Sequence, residues 1–200
     1  MYDLGSSFAN TAVPPGKNLL IAGPPLSGVR RIAFSALAAD GEHAIVITAR
    51  HRAKQVRKEL EGTVGGTVGI VDCVTAHQSR TPAGDERTRY AASPADFSGI
   101  GMGFSALEKE FSADGATRIR VVVDSLSLLV PYAGLQAVCE FMTVLTDRIA
   151  EIDGLGLHVI ESPAHTPEEL ETLSALFDAK IDVEADEVVM ETLPTFDDSG

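Results

Sequence analysis

The chain has 200 residues, 44 % of them hydrophobic, with 29 acidic against 16 basic side chains and a formal charge of −13. That length suits one domain, able to bury about 70 % of the surface its unfolded chain would expose. No run approaches the ~20 apolar residues of a membrane-spanning helix, and so negative a chain argues against nucleic acid as a partner, because affinity there rests on neutralising phosphates.

The start, MYDLGSSFAN, lacks the basic residues and apolar stretch of an export signal, so the expected location is cytoplasmic. Residues 1–15, rich in small residues, glycine and proline, predict a flexible segment before a domain spanning 16–193. NLLIAG (18–23) is a short apolar run ended by Gly-Pro-Pro and reads as a buried strand; RRIAFSALAADGE (30–42) then has helical spacing, with Gly41 as its stop. HAIVITA (43–49) predicts a strand, RHRAKQVRKELEG (50–62) a helix, and Val68–Val71 a short strand. TAHQSRTPAGDERTRYAASP (75–94) has loop composition. FSALEKEFSADG (104–115) predicts a helix, and IRVVVDSLSLLV (119–130), the most β-branched run, a central strand. A long amphipathic helix follows over 134–154, then a strand over 155–162 and a helix over 166–177 capped by Thr166 with Pro167 in its first turn. KIDVEADEVVMETL (180–193) suggests two short strands turning at Ala185–Asp186, before a disordered acidic tail over 194–200. Uniformly apolar strands alternating with helices predict an α/β domain of three layers, its mostly parallel sheet covered on both faces and a C-terminal β-hairpin at one edge.

Cys73 and Cys139 are the only cysteines, without CxxC spacing, and read as buried free thiols; the five histidines show no ligand spacing, so no metal is assigned. The acid-rich, lysine-poor usage resembles that of proteins from salt-loving archaea, where high ionic strength screens self-repulsion.

GPPLSGVRR (23–31) follows a strand and opens a helix, which is the context of a phosphate-binding loop. Taken with IRVVVDSLSLLV about one hundred residues later, with Gly16 before the first strand, with SPADFSGIGMGFSALEKEF (93–111) and with LFDAKIDVE (176–184), it resembles the KaiC/RadA branch of the RecA-like ATPases over roughly residues 14–193. The resemblance implies a nucleotide site made of Gly23, Pro24, Pro25, Leu26, Ser27, Gly28, Val29 and Arg30, with Asp124 helping to position Mg²⁺ through water. It also implies damage. Val29 stands where the family has its phosphate-binding lysine, Arg30 where it has the Mg²⁺-ligating hydroxyl, and Ala49 and Arg50 in the region of its water-activating glutamates. Lysine, metal and base serve one phosphoryl-transfer transition state, so their joint loss leaves no catalytic residue to assign. Asp124 reads equally as a polar cap on a buried strand, and Glu161 and Ser162 fall where related ATPases carry a sensor, at the tip of a strand expected between those of the glycine loop and Asp124.

Seven of the 16 bases lie between residues 30 and 58, whereas residues 161–200 hold twelve acids and only Lys180. Arg31, Arg50, His51 and Arg52 should join Arg30 at the carboxyl edge of the sheet, where open α/β sheets bind ligands. They read as a rim for an anion or an acidic partner, or as ordinary solvated helix starts. The leading expectation is a non-catalytic pseudo-ATPase that needs no cofactor and acts as a regulatory or assembly protein, through a protein partner or as a homo-oligomer. The alternative is a sensor that binds ATP, another nucleotide or a phosphorylated ligand without hydrolysis. An active ATPase, and a DNA-associated role for residues 76–95 through Arg80, Arg87 and Arg89, rank behind these.

Overall fold

The computed structural model describes residues 1–37, 41–78, 80 and 87–196. Eight strands form the central sheet: β3 (Asn18–Gly23), β4 (His43–Thr48), β5 (Val68–Asp72), β6 (Thr88–Tyr90), β7 (Ile119–Asp124), β8 (Leu155–Glu161), β9 (Ala179–Glu184) and β10 (Glu187–Val188). Their order is β10-β9-β3-β8-β7-β4-β5-β6, and every neighbouring pair is parallel except β9 and β10. Strand β8 therefore lies between β3 and β7, and the terminal hairpin occupies an edge, both as expected. The hairpin turns at Ala185 and Asp186, which carry φ of 47° and 66°.

Alternation along each strand sends neighbours to opposite faces. Leu19 and Ile21 join one core with α1 (Val29–Ser35) and α2 (Ala53–Leu60), while Leu20 and Ala22 join the other with α3 (Phe97–Ala113) and α5 (Leu135–Glu151). The three-layer α/β arrangement expected from the uniformly apolar strands is what the chain adopts. No helix among the described residues is long and apolar enough to cross a membrane.

Several expectations need correction. The N-terminal segment does not wander: β1 (Tyr2–Asp3) and β2 (Ala12–Val13) pair, and Tyr2, Leu4, Phe8 and Val13 are buried. The cause lies in two arginines of β7 and its approach. Arg118 donates to Met1 O (2.6 Å), Arg120 to Asp3 O (2.8 Å), and both guanidinium groups sit over the Tyr2 ring at 5.1 and 5.2 Å. Second, the polar stretch over 75–94 contains an edge strand, β6, fastened by Arg87 and Arg89 to Glu110 of α3 at 3.1 and 2.8 Å; residues 79 and 81–86 lie outside the described residues. Third, α3 begins seven residues before the expected start. Asp96 caps it, accepting from Gly99 N at 2.9 Å, and Gly103 lies so close to β5 that an added Cβ would meet Val71 at 3.2 Å. Its glycines hide the helix from propensity while making that contact possible. Fourth, the strand expected over 119–130 stops at Asp124, and α4 (Leu126–Ala133) follows after a cis Asp124–Ser125 peptide. Helix α1 also ends at Ser35, ahead of Gly41; residues 38–40 lie outside the described set, as do 197–200 of the expected tail, whose Phe196 packs partly against the core. Cys73 is buried and burial pushes its thiol up to about 12, whereas Cys139 is half-buried.

His158 sits at the centre of β8, fully buried and stacked on Phe177 with ring centroids 4.7 Å apart. Its Nε2 lies 3.0 Å from Asn18 Oδ1, and Asn18 Nδ2 donates to Thr146 O. An amide oxygen only accepts, so Nε2 carries the proton and the unpartnered Nδ1 is a bare lone pair. Burial lowers the imidazole pKa from 6.5 to about 3. Since the folded pKa is depressed, the unfolded chain binds the extra proton first, and stability falls as pH drops from about 6.5 towards 3, by up to about 1.4 kcal/mol per pH unit. Denaturant titrations at pH 7, 6, 5 and 4 should show a steeper loss in the parent than in His158→Gln; parallel profiles would refute the assignment.

Candidate functional site

The glycine loop leaves β3 at Gly23 and enters α1 at Gly28. Neither glycine can be replaced without displacing neighbours: a Cβ on Gly23 would lie 2.6 Å from Val183 O, and one on Gly28, whose φ is 73°, would lie 1.9 Å from Asp186 Oδ1. The loop is closed by Ser27 N donating to Pro24 O at 3.1 Å, and the turn of the β9–β10 hairpin docks on it through Asp186 N donating to Ser27 O at 2.9 Å. Pro24, Pro25 and Leu26 are exposed, Leu26 completely and with φ of 66°. Ser27 is buried with its Oγ unpartnered.

Val29, at the lysine position of the resembled family, is buried in the core formed by α1 and α2. Arg30 turns back into the sheet. Its Nε donates to Asp124 Oδ2 at 2.5 Å, its Nη1 bonds Glu59 of α2, and its guanidinium covers the Phe34 ring at 4.2 Å. Arg50, from the turn after β4, bonds Glu161 Oε1 at 2.5 Å and stands 3.7 Å from Asp124 Oδ1, an ionic contact beyond hydrogen-bonding range that leaves Oδ1 without a bonded donor. Asp124 is fully buried. Two arginines and three carboxylates from α1, the β4–α2 turn, α2, β7 and β8 thus form one network with a net charge of −1.

The sequence places these residues at the sheet edge correctly, but the expected open rim is largely closed. Arg30 and Arg50 point inward, and Arg31, which is exposed, pairs with Asp186 at 3.2 Å. His51 serves the turn through its backbone, donating from N to Thr48 Oγ1 at 3.1 Å and accepting at O from the same hydroxyl at 2.8 Å. Arg52 is half-buried and makes no ion pair among the described residues. The cations ahead of α2 oppose its dipole, and a carboxylate from β5 offsets them. Asp72 Oδ2 accepts from Ala53 N at 2.8 Å and from Thr75 Oγ1 at 2.7 Å, while Oδ1 accepts from Val74 N and Thr75 N. The sequence offers Glu59 only as an ordinary salt-bridge partner of the basic helix and Asp186 only as a turn residue, and it does not single out Asp72. For Asp72 there was a signal, an aspartate ending an apolar run with a threonine three residues on, the pattern of an Asx turn.

Behind Glu161 lies a second polar chain. Glu161 N donates to Ser127 Oγ at 2.8 Å, the same hydroxyl hydrogen-bonds with His165 Nε2 at 2.8 Å, and His165 Nδ1 lies 3.6 Å from Glu169 Oε2. Serine, histidine and glutamate in this order suggest a nucleophile and its base, but His165 is 2 % exposed at its side chain and Ser127 only 6 % exposed. Glu169 is engaged in the capping box of α6 (Pro167–Ser174) with Thr166. The chain is a clamp that fixes Glu161 against Arg50.

The donor set does not fit a divalent cation. Asp124 is the one carboxylate at the tip of β7, and a guanidinium already occupies its Oδ2, with a second close to Oδ1. Removing Arg30 leaves a buried carboxylate with only the more distant Arg50, so Arg30→Ala should lower unfolding free energy by about 3 kcal/mol. Arg30→Met combined with Asp124→Asn should lose less, since no buried charge is stranded. Equal losses in denaturant titration would deny the coupling.

Residues 16–183 match the sequence model of a family of unknown function, DUF7504. Among solved structures, the chain is similar to a protein of Pyrococcus horikoshii OT3 described as a structural study of project PH0250, at TM-score 0.63 and 9 % identity, covering 92 % of this chain and 89 % of that one. At that identity the likeness is one of fold. No curated protein matches the sequence.

Proposed function

We propose that this chain, which belongs to the DUF7504 family, is a non-hydrolysing RecA/KaiC-like domain that acts through protein contacts as a cytoplasmic regulatory or assembly subunit. The observation that carries the reading is the Arg30 guanidinium on Asp124 at 2.5 Å. Phosphoryl transfer on a P-loop needs a lysine on the β- and γ-oxygens, a hydroxyl and an aspartate holding Mg²⁺, and a group that orients the attacking water. Here the first is a buried valine, the second an arginine, the third is paired to that arginine, and the fourth is replaced by Ala49 and Arg50.

A fixed cation in place of a hydrated one supports a resting electrostatic balance without ligand. A bound Mg²⁺ would have to displace Arg30 and sit beside Arg50. The Asp186 carboxylate, paired with Arg31, occupies space beside Gly28 that a phosphate approaching the loop would need. Each of these terms disfavours the triphosphate complex, and none of them prevents the α/β domain from presenting its surfaces to a partner.

Thermal melts and phosphate release with ATP, with and without Mg²⁺, test the reading. The parent should show no nucleotide-dependent shift and no release above buffer. Val29→Lys combined with Arg30→Thr, which restores lysine and hydroxyl and frees Asp124, should gain a Mg²⁺-dependent shift. Mg²⁺-dependent stabilisation of the parent would overturn the reading. A shift by ATP that ignores Mg²⁺ and vanishes in Arg30→Ala would replace it with a phospholigand sensor.

A further inference from the structure

The N-terminal segment is fastened at both ends of the sheet. At the amino edge, Met1 O and Asp3 O accept from Arg118 and Arg120, and the Tyr2 hydroxyl donates to Asp153 O at 2.9 Å. The chain then passes through a short 3₁₀ turn, Ser6–Phe8, closed by Phe8 N donating to Gly5 O and Thr11 N donating to Phe8 O, both at 3.0 Å. That turn lies beside β10, and Phe8, completely buried, belongs to the same core as Val183 of β9 and Val188 of β10. Amino edge and β10 are separated by the length of β3, about 17 Å at the ordinary rise per residue.

The β9–β10 hairpin needs outside support. Strand β10 has only two residues. Glu184 and Glu187 face each other as a register pair, both exposed and neither with an ion-pair partner among the described residues, and like charges directly opposite on neighbouring strands are destabilising. Between them Ala185 and Asp186 hold φ of 47° and 66°, left-handed values that residues with a side chain keep only where their surroundings impose them. This hairpin nevertheless fills the glycine loop, with Asp186 N donating to Ser27 O at 2.9 Å and the Asp186 carboxylate beside Gly28. Arg31 meets the turn through the Asp186 carboxylate and carbonyl, each at 3.2 Å, but it is exposed and solvent screens the pair. Phe8 supplies support that solvent does not reach.

We infer that residues 1–13 are a strap that holds the β9–β10 hairpin in the glycine loop, so that the state of the amino edge controls the loop at the other end of β3. A partner that draws Arg118 and Arg120 away from Met1 O and Asp3 O loosens Phe8 from the side of β10, withdraws Asp186 and opens the space beside Gly28. The coupling is reciprocal, so whatever displaces the hairpin at the loop also loosens the strap. The inference adds a means of regulation to the proposed interaction module, and the two fail separately. Mg²⁺-dependent nucleotide binding by the parent would refute the inactive site and leave the strap standing, whereas a loop indifferent to the strap would refute the strap alone.

Residue-resolved amide hydrogen exchange of the full chain under native conditions tests it, because it reads local opening separately from global unfolding. Phe8→Ala should speed exchange of Asp186 N–H by about tenfold or more beyond any change at Ala53 N–H, which is bonded to Asp72 Oδ2 on the far side of the sheet. Phe8→Leu, which keeps most of the buried volume and spares the fold, should act in the same direction to a smaller extent. Arg118→Ala removes the donor to Met1 O without touching β10 and should also speed Asp186 N–H. Leu145→Ala opens a cavity in the core on the opposite face and should leave Asp186 N–H at the parent rate. Unchanged Asp186 exchange in Phe8→Leu or Arg118→Ala, equal acceleration at Asp186 and Ala53, or acceleration of Asp186 by Leu145→Ala overturns the inference.

Discussion

A carboxylate buried at the tip of the central strand cannot stand alone. Moving an unpaired charge into a protein interior costs several kcal/mol even after relaxation, and Asp124 is fully buried between β4 and β8. Everything at the carboxyl edge of the sheet is arranged around that requirement. Arg30 reaches it from the first turn of α1, Arg50 approaches it from the turn after β4, and each arginine brings a further carboxylate, Glu59 or Glu161, from another element. Glu161 is in turn fixed through Ser127 and His165. The network joins helices on one face of the sheet to the turns at its edge, so the geometry of the glycine loop is supported by ion pairs of the chain itself.

The same use of arginine explains how an acidic protein keeps a basic segment. Of the bases between residues 30 and 58, Arg30 and Arg50 serve the Asp124 network and Arg57 bonds β5 and β6. Arg120 does comparable work at the other end of β7, where its aliphatic stem lies in the core and its head meets Glu42 and the backbone of the N-terminal hairpin. Arginine suits these places because its planar fork satisfies several acceptors at once and its charge persists. Lys54 and Lys58, with compact and strongly hydrated heads, remain on the outside.

What the sequence disclosed follows from this division. Strands β3, β4, β5, β7 and β8, the place of β8 between β3 and β7, and the terminal hairpin are legible because apolar runs and turn residues are local signals. The N-terminal hairpin was not, since its reason to order lies in Arg118 and Arg120, more than one hundred residues away. Helix α3 was foreshortened because Gly99, Gly101 and Gly103 depress propensity, and tertiary contact with β5 outweighs it. In the site, the residues from loop and strand tips were found by position, but their partners were not. Glu59 lies in the last turn of a charged helix and Asp186 in a turn, and neither differs in sequence from a solvated acid.

Those partners also change what the two glycines of the loop signify. In a phosphate loop such glycines let backbone N–H groups close around a ligand. Here the space at Gly23 is taken by Val183 O and Ser27 Oγ, and the space at Gly28 by the Asp186 carboxylate. The hairpin fills the room that the glycines leave, and packing against the Val183 backbone requires Gly23 while the left-handed φ of 73° favours glycine at Gly28. A G-x-x-x-x-G spacing alone therefore does not identify a phosphate site, and the residues that distinguish the two cases are the ones beside it. Val29 turns into the core and Arg30 turns onto Asp124, so the loop is completed by side chains of the chain itself.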